Sequence, residues 1–134
     1  MTDTVLLDTH IWLWWLLGQE DLGPKDRQRL QALVTAGTPP SISSISLWEA
    51  QMLVSKGRLP LSLPLNRWLP LATAPETVRV LPLDTDVVLA VNELPASFHG
   101  DPADRIIVAT ARAHGLPLVT RDANIRRSRL VRLW

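Results

Sequence analysis

Short apolar runs alternate along the chain with longer segments whose apolar residues recur at helical spacing. This alternation predicts an α/β fold with a mostly parallel central sheet of four to five strands. The predicted strands are residues 5–7, 40–43, 78–81 and 116–120, with a short final strand at 130–133 that closes one edge. The predicted helices lie between them, at about 10–17, 24–37, 44–56, 65–74, 85–93 and 101–114.

Two of the predicted helices have unusual composition. The helix at 44–56 is apolar almost all round, which predicts deep burial. The helix at 65–74 contains Pro70, which we expect to kink or interrupt it. Glycines follow several of the helices, as left-handed C-caps require.

Length, charge and cysteine content narrow the class of protein. A chain of 134 residues corresponds to one domain, so residues 1–134 are expected to form a single core. The net charge of +1 excludes polybasic binding driven by the whole molecule. Without cysteine, a metal would need oxygen or histidine ligands. The longest apolar run, 11–17, is too short to span a membrane, and we expect a cytoplasmic protein.

Acidic residues follow the predicted strand ends or open the helices after them. Because the carboxyl ends of parallel strands share one edge of a sheet, these side chains are expected to meet at one rim. The set is Asp8, Glu49, Asp101, Asp104 and Asp122.

Each of these acids also has a purely structural explanation. Asp8 or Thr9 is placed to cap the first helix and Asp101 to cap a later one, where Asp104 lies near the positive end of the helix dipole. Asp122 suits a turn. Glu49 stands three residues after Ser46, as in a capping box. Together, however, clustered carboxylates repel one another unless they share protons or bind a cation. An all-oxygen set without cysteine favours Mg²⁺ or Mn²⁺ over zinc.

The motifs around these acids resemble those of the PIN domain, specifically the VapC-type ribonuclease toxins of bacterial toxin–antitoxin pairs. The similarity covers nearly the whole chain in the family's order. The motifs are LLDTH at 6–10, SISLWEA at 44–50, GRL at 57–59, HGDPADRIIVATA at 99–111 and GLPLVTRD at 115–122.

The resemblance implies a three-layer α/β/α sandwich and RNA cleavage that depends on Mg²⁺ or Mn²⁺. The family's four acidic positions correspond to Asp8, Glu49, Asp104 and Asp122. Asp101 matches an additional acid, which would be a further metal ligand, a residue that contacts a ligand, or a helix cap. Asp8 and Asp104 would bind the principal ion, while the other two complete the site through waters or hold a second ion. Activated water would then leave a 5′ phosphate and a 3′ hydroxyl.

Contacts to macromolecules are expected at two further places. The basic C-terminal stretch suits RNA phosphates or is a solvated charged face; its candidates are Arg121, Arg126, Arg127 and Arg129. Three tryptophans of the first helix, Trp12, Trp14 and Trp15, cannot all face one core. By family likeness one or two of them help to form a groove for an antitoxin helix, with a homodimer contact on another face, although core packing explains any one of them.

Two of the three histidines lie within the acidic motifs. His10 is expected to point away from Asp8, and His99 to shape its loop or touch a substrate phosphate.

The main alternative function is a non-catalytic RNA- or partner-binding domain on the same fold. Phosphotransfer with Asp8 as nucleophile is disfavoured because His10 occupies the place of the expected second acid.

Overall fold

The computed structural model describes residues 4–98 and 100–134. Within them a four-stranded sheet is parallel throughout, in the order β3-β2-β1-β4. The strands are β1 (Leu6–Leu7), β2 (Ser41–Ser43), β3 (Arg79–Leu81) and β4 (Leu118–Val119). The predicted α/β class and parallel sheet are confirmed.

Seven helices flank this sheet in the described part of the chain. They are α1 (Thr9–Leu16), α2 (Pro24–Thr35), α3 (Ile45–Ser55), α4 (Leu65–Ala72), α5 (Thr85–Asn92), α6 (Pro102–His114) and α7 (Ala123–Ser128). Each strand is followed along the chain by a helix, so the carboxyl ends of the strands and the N-termini of these helices lie at the same edge of the sheet. Ligands of parallel α/β sheets bind at this edge.

Two apolar cores lie on opposite faces of the sheet, because successive strand residues point in opposite directions. Leu7 belongs to the core with α1, α2 and α4, whereas Leu6 belongs to the core with α5, α6 and α7. The molecule is therefore a three-layer α/β/α sandwich. β1 is central, with β2 on one side and β4 on the other, which creates a crevice at its carboxyl end.

Several predicted elements differ from the structure. Residues 130–133 form no strand; only Leu133 makes a single parallel bridge to Leu118. The short helix α7 was missed because its sequence is too polar and too brief to show helical periodicity. Pro70 does not interrupt α4, which continues to Ala72 and ends two residues before the predicted boundary.

The prediction of deep burial for α3 is wrong. In this helix only Ser46 and Ala50 are buried, and 55% of the Trp48 surface is exposed. Apolar residues all round a helix signal burial only if every face is covered, and here the outer face of α3 carries uncovered apolar area.

Trp12 is not available for a partner contact, contrary to the prediction. It is fully buried in the core, its indole N–H donates to the Ala72 carbonyl at 3.3 Å, and its ring packs on Trp68. Trp14 and Trp15 pack, partly buried, against the same core, so the expectation that the three tryptophans cannot all face one core is wrong. None of the helices in the described residues is both long and apolar enough to cross a membrane.

Candidate active site

All five predicted acids line one open cleft of about 390 Å³ at the carboxyl edge of the sheet. They come from four separate parts of the chain: the end of β1, the first turns of α3, the start of α6 and the residue before α7. The other lining residues are His10, Trp14 and Arg121. The sequence argument that these acids share one rim is thus met by the geometry.

Asp8 is the most buried of the acids, with 6% of its surface exposed. Its Oδ1 accepts from the Thr9 backbone N–H at 2.8 Å, and its Oδ2 accepts from the Thr120 hydroxyl at 2.7 Å. Asp8 therefore caps α1, yet each oxygen keeps acceptor capacity for a further ligand. Burial raises the pKa of Asp8 above its ordinary value, against the opposing effect of these hydrogen bonds.

Glu49 is held by a side chain rather than by a backbone amide. The Thr9 hydroxyl donates to its Oε1, and the Thr9 and Ser46 hydroxyls lie 2.7 Å apart. The capping-box explanation for Glu49 is therefore wrong: Ser46 lies inside α3, and the hydroxyl of Ser46 contacts Thr9 instead. Burial, and then the charges of Asp8 and Asp101, raise the pKa of Glu49.

Asp101 and Asp104 have different positions and contacts at the start of α6. Asp101 is the N-cap, since its Oδ1 accepts from the Asp104 N–H at 3.1 Å. Asp104 lines the cleft one turn later, where burial raises its pKa to about 7, with further contributions from the other four acids. Asp122 likewise caps α7, accepting from the Ile125 N–H at 2.9 Å. The capping interpretation thus holds for Asp8 and Asp101, whereas Asp122, which was expected in a turn, is the N-cap of α7; all three line the cleft as well.

The donor set of the cleft fits a hard divalent cation. Carboxylate oxygens predominate, and burial is the main cause of the raised pKa values of Asp8, Glu49 and Asp104, with repulsion from neighbouring carboxylates adding to it. Arg121 is the cationic side chain at the cleft, and it donates to Asp26 at 2.9 Å instead. In the described ranges 4–98 and 100–134, no three His, Asp or Glu side chains are close enough to hold an ion as they stand.

Two lining residues were not predicted. His10 lies at the cleft with Asp8, so the expectation that it points elsewhere is wrong. Its ring contacts Trp14 at a centroid distance of 5.9 Å, and Trp14 forms part of the same wall. Their i, i+4 spacing on α1 was the available signal for this pair.

The predicted RNA-contact arginines lie on and around α7, and only Arg121 lines the acidic cleft. Arg126 donates to the Thr120 carbonyl and Arg127 to Asn124 Oδ1, while Arg129 ends the helix with a φ of 60°. Arg105 donates to the Phe98 carbonyl at 3.2 Å. The expectations for His99 concern a residue outside the described ranges.

Comparison with known proteins agrees with this architecture. The family model for the PIN domain matches residues 5–129. Ribonuclease VapC22 of Mycobacterium tuberculosis is 36% identical over 126 residues, which cover 94% of this chain and 92% of that protein.

Solved structures with the same fold include the DNA-bound VapBC complexes of two bacteria. The chain from VapBC2 of Rickettsia felis has a TM-score of 0.73 at 20% identity, with 98% of this chain and 97% of that chain covered. The chain from VapBC of Salmonella typhimurium has a TM-score of 0.73 at 21% identity, with 100% and 98% covered.

Proposed function

The chain belongs to the PIN domain family and is of the VapC type, and from this premise we propose that it is an endoribonuclease that depends on Mg²⁺ or Mn²⁺ and acts as the toxin of a toxin–antitoxin pair. One observation carries the proposal: five carboxyls from distant parts of the chain line one cleft, and there the pKa of Asp104 rises to about 7. Ribonuclease activity of a relative 36% identical supports RNA as the substrate.

Asp8 and Asp104 would hold the principal ion, with Glu49 and Asp122 completing the site through waters or holding a second ion. When bound, the cation would lower the pKa of water and stabilise charge on the departing 3′ oxygen. Asp8 is oriented for this role because Thr9 and Thr120 each fix one of its oxygens. Thr9 also orients Glu49, so its backbone N–H holds the Asp8 carboxyl while its hydroxyl holds the Glu49 carboxyl.

Water as the nucleophile predicts the products. Cleavage leaves a 5′ phosphate and a 3′ hydroxyl, and it requires neither the RNA 2′-hydroxyl nor a histidine pair. A 2′,3′-cyclic phosphate product would contradict this route. Arg121 at the cleft and the exposed Arg126, Arg127 and Arg129 on and around α7 would bind RNA phosphates and position the strand.

An antitoxin is the proposed protein partner, because the structural relatives include VapBC complexes and a toxin–antitoxin complex from Klebsiella pneumoniae. Apolar area for such a partner is uncovered on Trp48 of α3 and Leu71 of α4, which are 55% and 64% exposed. Trp14 and Trp15 remain candidates for the edge of this surface. Val88 and Leu89 of α5 form a separate exposed apolar patch that we assign to a homodimer contact.

The proposal is tested by incubating the purified protein with a panel of cellular RNAs, with Mg²⁺ or Mn²⁺ and with chelator. We expect cleavage that chelator abolishes and that Asp104→Asn lacks, with 5′-phosphate ends. Ion binding without cleavage of any RNA would select the non-catalytic binding domain instead. A cytoplasmic location, where RNA and an antitoxin are both present, is part of the same proposal.

A further inference from the structure

A second cleft, of about 240 Å³, lies beside α7 and is separate from the acidic one. Pro95, Phe98 and Leu130 supply its apolar part, and Ser97, Asn124 and Arg127 supply its polar wall. The volume corresponds to about eight water molecules, which is enough for one nucleobase. An apolar surface with a few directed polar groups is typical of a small-ligand site.

Both walls of this second cleft are fixed to helices that begin at the acids. Asp122 caps α7, and Asn124 and Arg127 follow it by about 3 and 8 Å along the helix axis. On the other side, Arg105 of α6 donates to the Phe98 carbonyl at 3.2 Å, which ties residues 95–98 to the helix that carries Asp104. The second cleft is therefore formed by α7 and by a segment bonded to α6, the two helices whose N-terminal acids line the acidic cleft.

The polar wall presents hydrogen-bond donors. Arg127 Nη2 donates to Asn124 Oδ1 at 2.9 Å, so the Asn124 oxygen is engaged and its NH₂ group supplies two N–H donors. The remaining N–H groups of Arg127 are donors as well. The neighbouring Ser128 hydroxyl is used within the turn, since it donates to the Ile125 carbonyl and accepts from the Leu130 N–H.

A wall of donors complements the base edge that carries two adjacent acceptors. Guanine offers O6 and N7 side by side, whereas adenine places its N6 donor next to N7. Cytosine has O2 and N3, but its single ring covers less of the apolar surface. Bases of single-stranded RNA are recognised in this way, splayed onto apolar surface and bonded along their edges.

We propose that the second cleft binds the guanine base of a nucleotide next to the scissile phosphate, with Asn124 and Arg127 contacting its O6/N7 edge. This inference rests on the proposed ribonuclease function and names part of its sequence specificity. Arg127 then contributes to base recognition in addition to any contact with the backbone.

The experiment compares short RNAs that share one cleavage site and differ only in the base at each of the two positions on either side of it. We expect guanine to be cleaved about 5- to 100-fold faster than adenine at one of these positions. Replacing that guanine by 7-deazaguanine, which lacks N7, should remove the advantage, whereas inosine, which keeps O6 and N7, should retain it.

Variants of the cleft connect this preference to its residues. Asn124→Asp keeps the shape of the side chain but replaces the donor group by an acceptor, so the guanine-to-adenine ratio should approach one. Arg127→Ala should lower the same ratio. Arg67→Ala, which removes an exposed arginine from α4 on the other side of the sheet, should leave it unchanged.

The outcomes separate this inference from the proposed function. If no RNA is cleaved, the ribonuclease function fails, and the anisotropy of labelled RNAs then measures guanine preference in binding alone. Equal cleavage of all four bases at every tested position would overturn the inference. A preference for cytosine, or a guanine preference that persists in both Asn124→Asp and Arg127→Ala, would overturn it as well.

Discussion

The Thr120 hydroxyl donates a 2.7 Å hydrogen bond to Asp8 Oδ2 across 112 positions of the chain. The Thr120 hydroxyl oxygen in turn accepts from the Asp122 N–H at 3.0 Å. Thr120 thus connects the acid at the end of β1 with the acid that caps α7, and it fixes the distance between the two strand ends. Thr120 and Asp8 are both almost fully buried.

Removing the Thr120 hydroxyl should impair the site more than the fold. Thr120→Val keeps the side-chain shape but removes a donor to a carboxylate, which we expect to cost about 1–3 kcal/mol of stability and to lower cleavage about tenfold. Chemical denaturation and initial cleavage rates measure the two effects. Thr110→Val is the matched control, because that buried hydroxyl donates to the Ile106 carbonyl within α6. It should lose stability without losing activity; equal losses of activity in both variants would contradict the role of Thr120.

Asp104 should make the metal-free protein less stable as pH rises. Its pKa is about 7 in the folded chain and near 3.8 when unfolded, so the native state binds the extra proton between these values. The contribution to stability is therefore full below about pH 4 and lost as pH rises through 7. Asp104→Asn should be more stable than the unmodified chain at pH 8, by about 1–2 kcal/mol after solvent screening, and similar at pH 4.

Denaturation curves in EDTA across this pH range test the effect of Asp104. Asp86→Asn, an exposed acid on α5, provides the control and should change stability little at either pH. A large loss of stability in Asp104→Asn at pH 8 would mean that its carboxylate supports the fold instead of repelling its neighbours.

The N-cap of α6 should be separable from the chemistry. Asp101→Ala removes the acceptor for the Asp104 N–H and should cost about 1 kcal/mol, whereas Asp101→Asn retains most of the cap. Asp84→Ala removes the equivalent cap of α5, away from the cleft, and calibrates the stability cost. If Asp101 is only a cap, Asp101→Asn keeps full cleavage; if it also serves the ion, the affinity for Mn²⁺ falls in Asp101→Asn at unchanged stability. Thermal melts and Mn²⁺ titrations distinguish the two.

Arg121 should affect RNA binding through charge alone. Its guanidinium is half exposed at the cleft and pairs with Asp26, an exposed ion pair of little weight for stability. In Arg121→Ala, the slope of log affinity against log salt should fall by about 0.7 for single-stranded RNA. Anisotropy titrations at several salt concentrations measure this slope, ideally in the Asp104→Asn background so that RNA stays intact. An unchanged slope would show that Arg121 does not contact RNA phosphates.

The sequence was sufficient to predict the sheet and the acidic rim, because both depend on local signals: buried runs, acids at their ends and helix starts such as Asp101-Pro102. The features that it did not predict depend on which helix faces other elements cover in the folded protein. Nothing local shows that the outer face of α3 is open at Trp48, or that Trp12 is enclosed by α4. The Thr9–Glu49 and Thr120–Asp8 bonds join residues 40 and 112 positions apart, and no pattern within one element encodes such pairs.

The central claim is that the converging carboxyls bind a divalent ion, and calorimetric titration at pH 7 tests it most directly. Mg²⁺ or Mn²⁺ should bind with release of protons, because the pKa of Asp104 is about 7 and a ligand carboxylate must be deprotonated. Running the titration in buffers of different ionisation enthalpy gives the proton count, and Asp104→Asn should release fewer protons and bind more weakly. No uptake by the unmodified chain, or uptake identical in Asp104→Asn, would contradict the account.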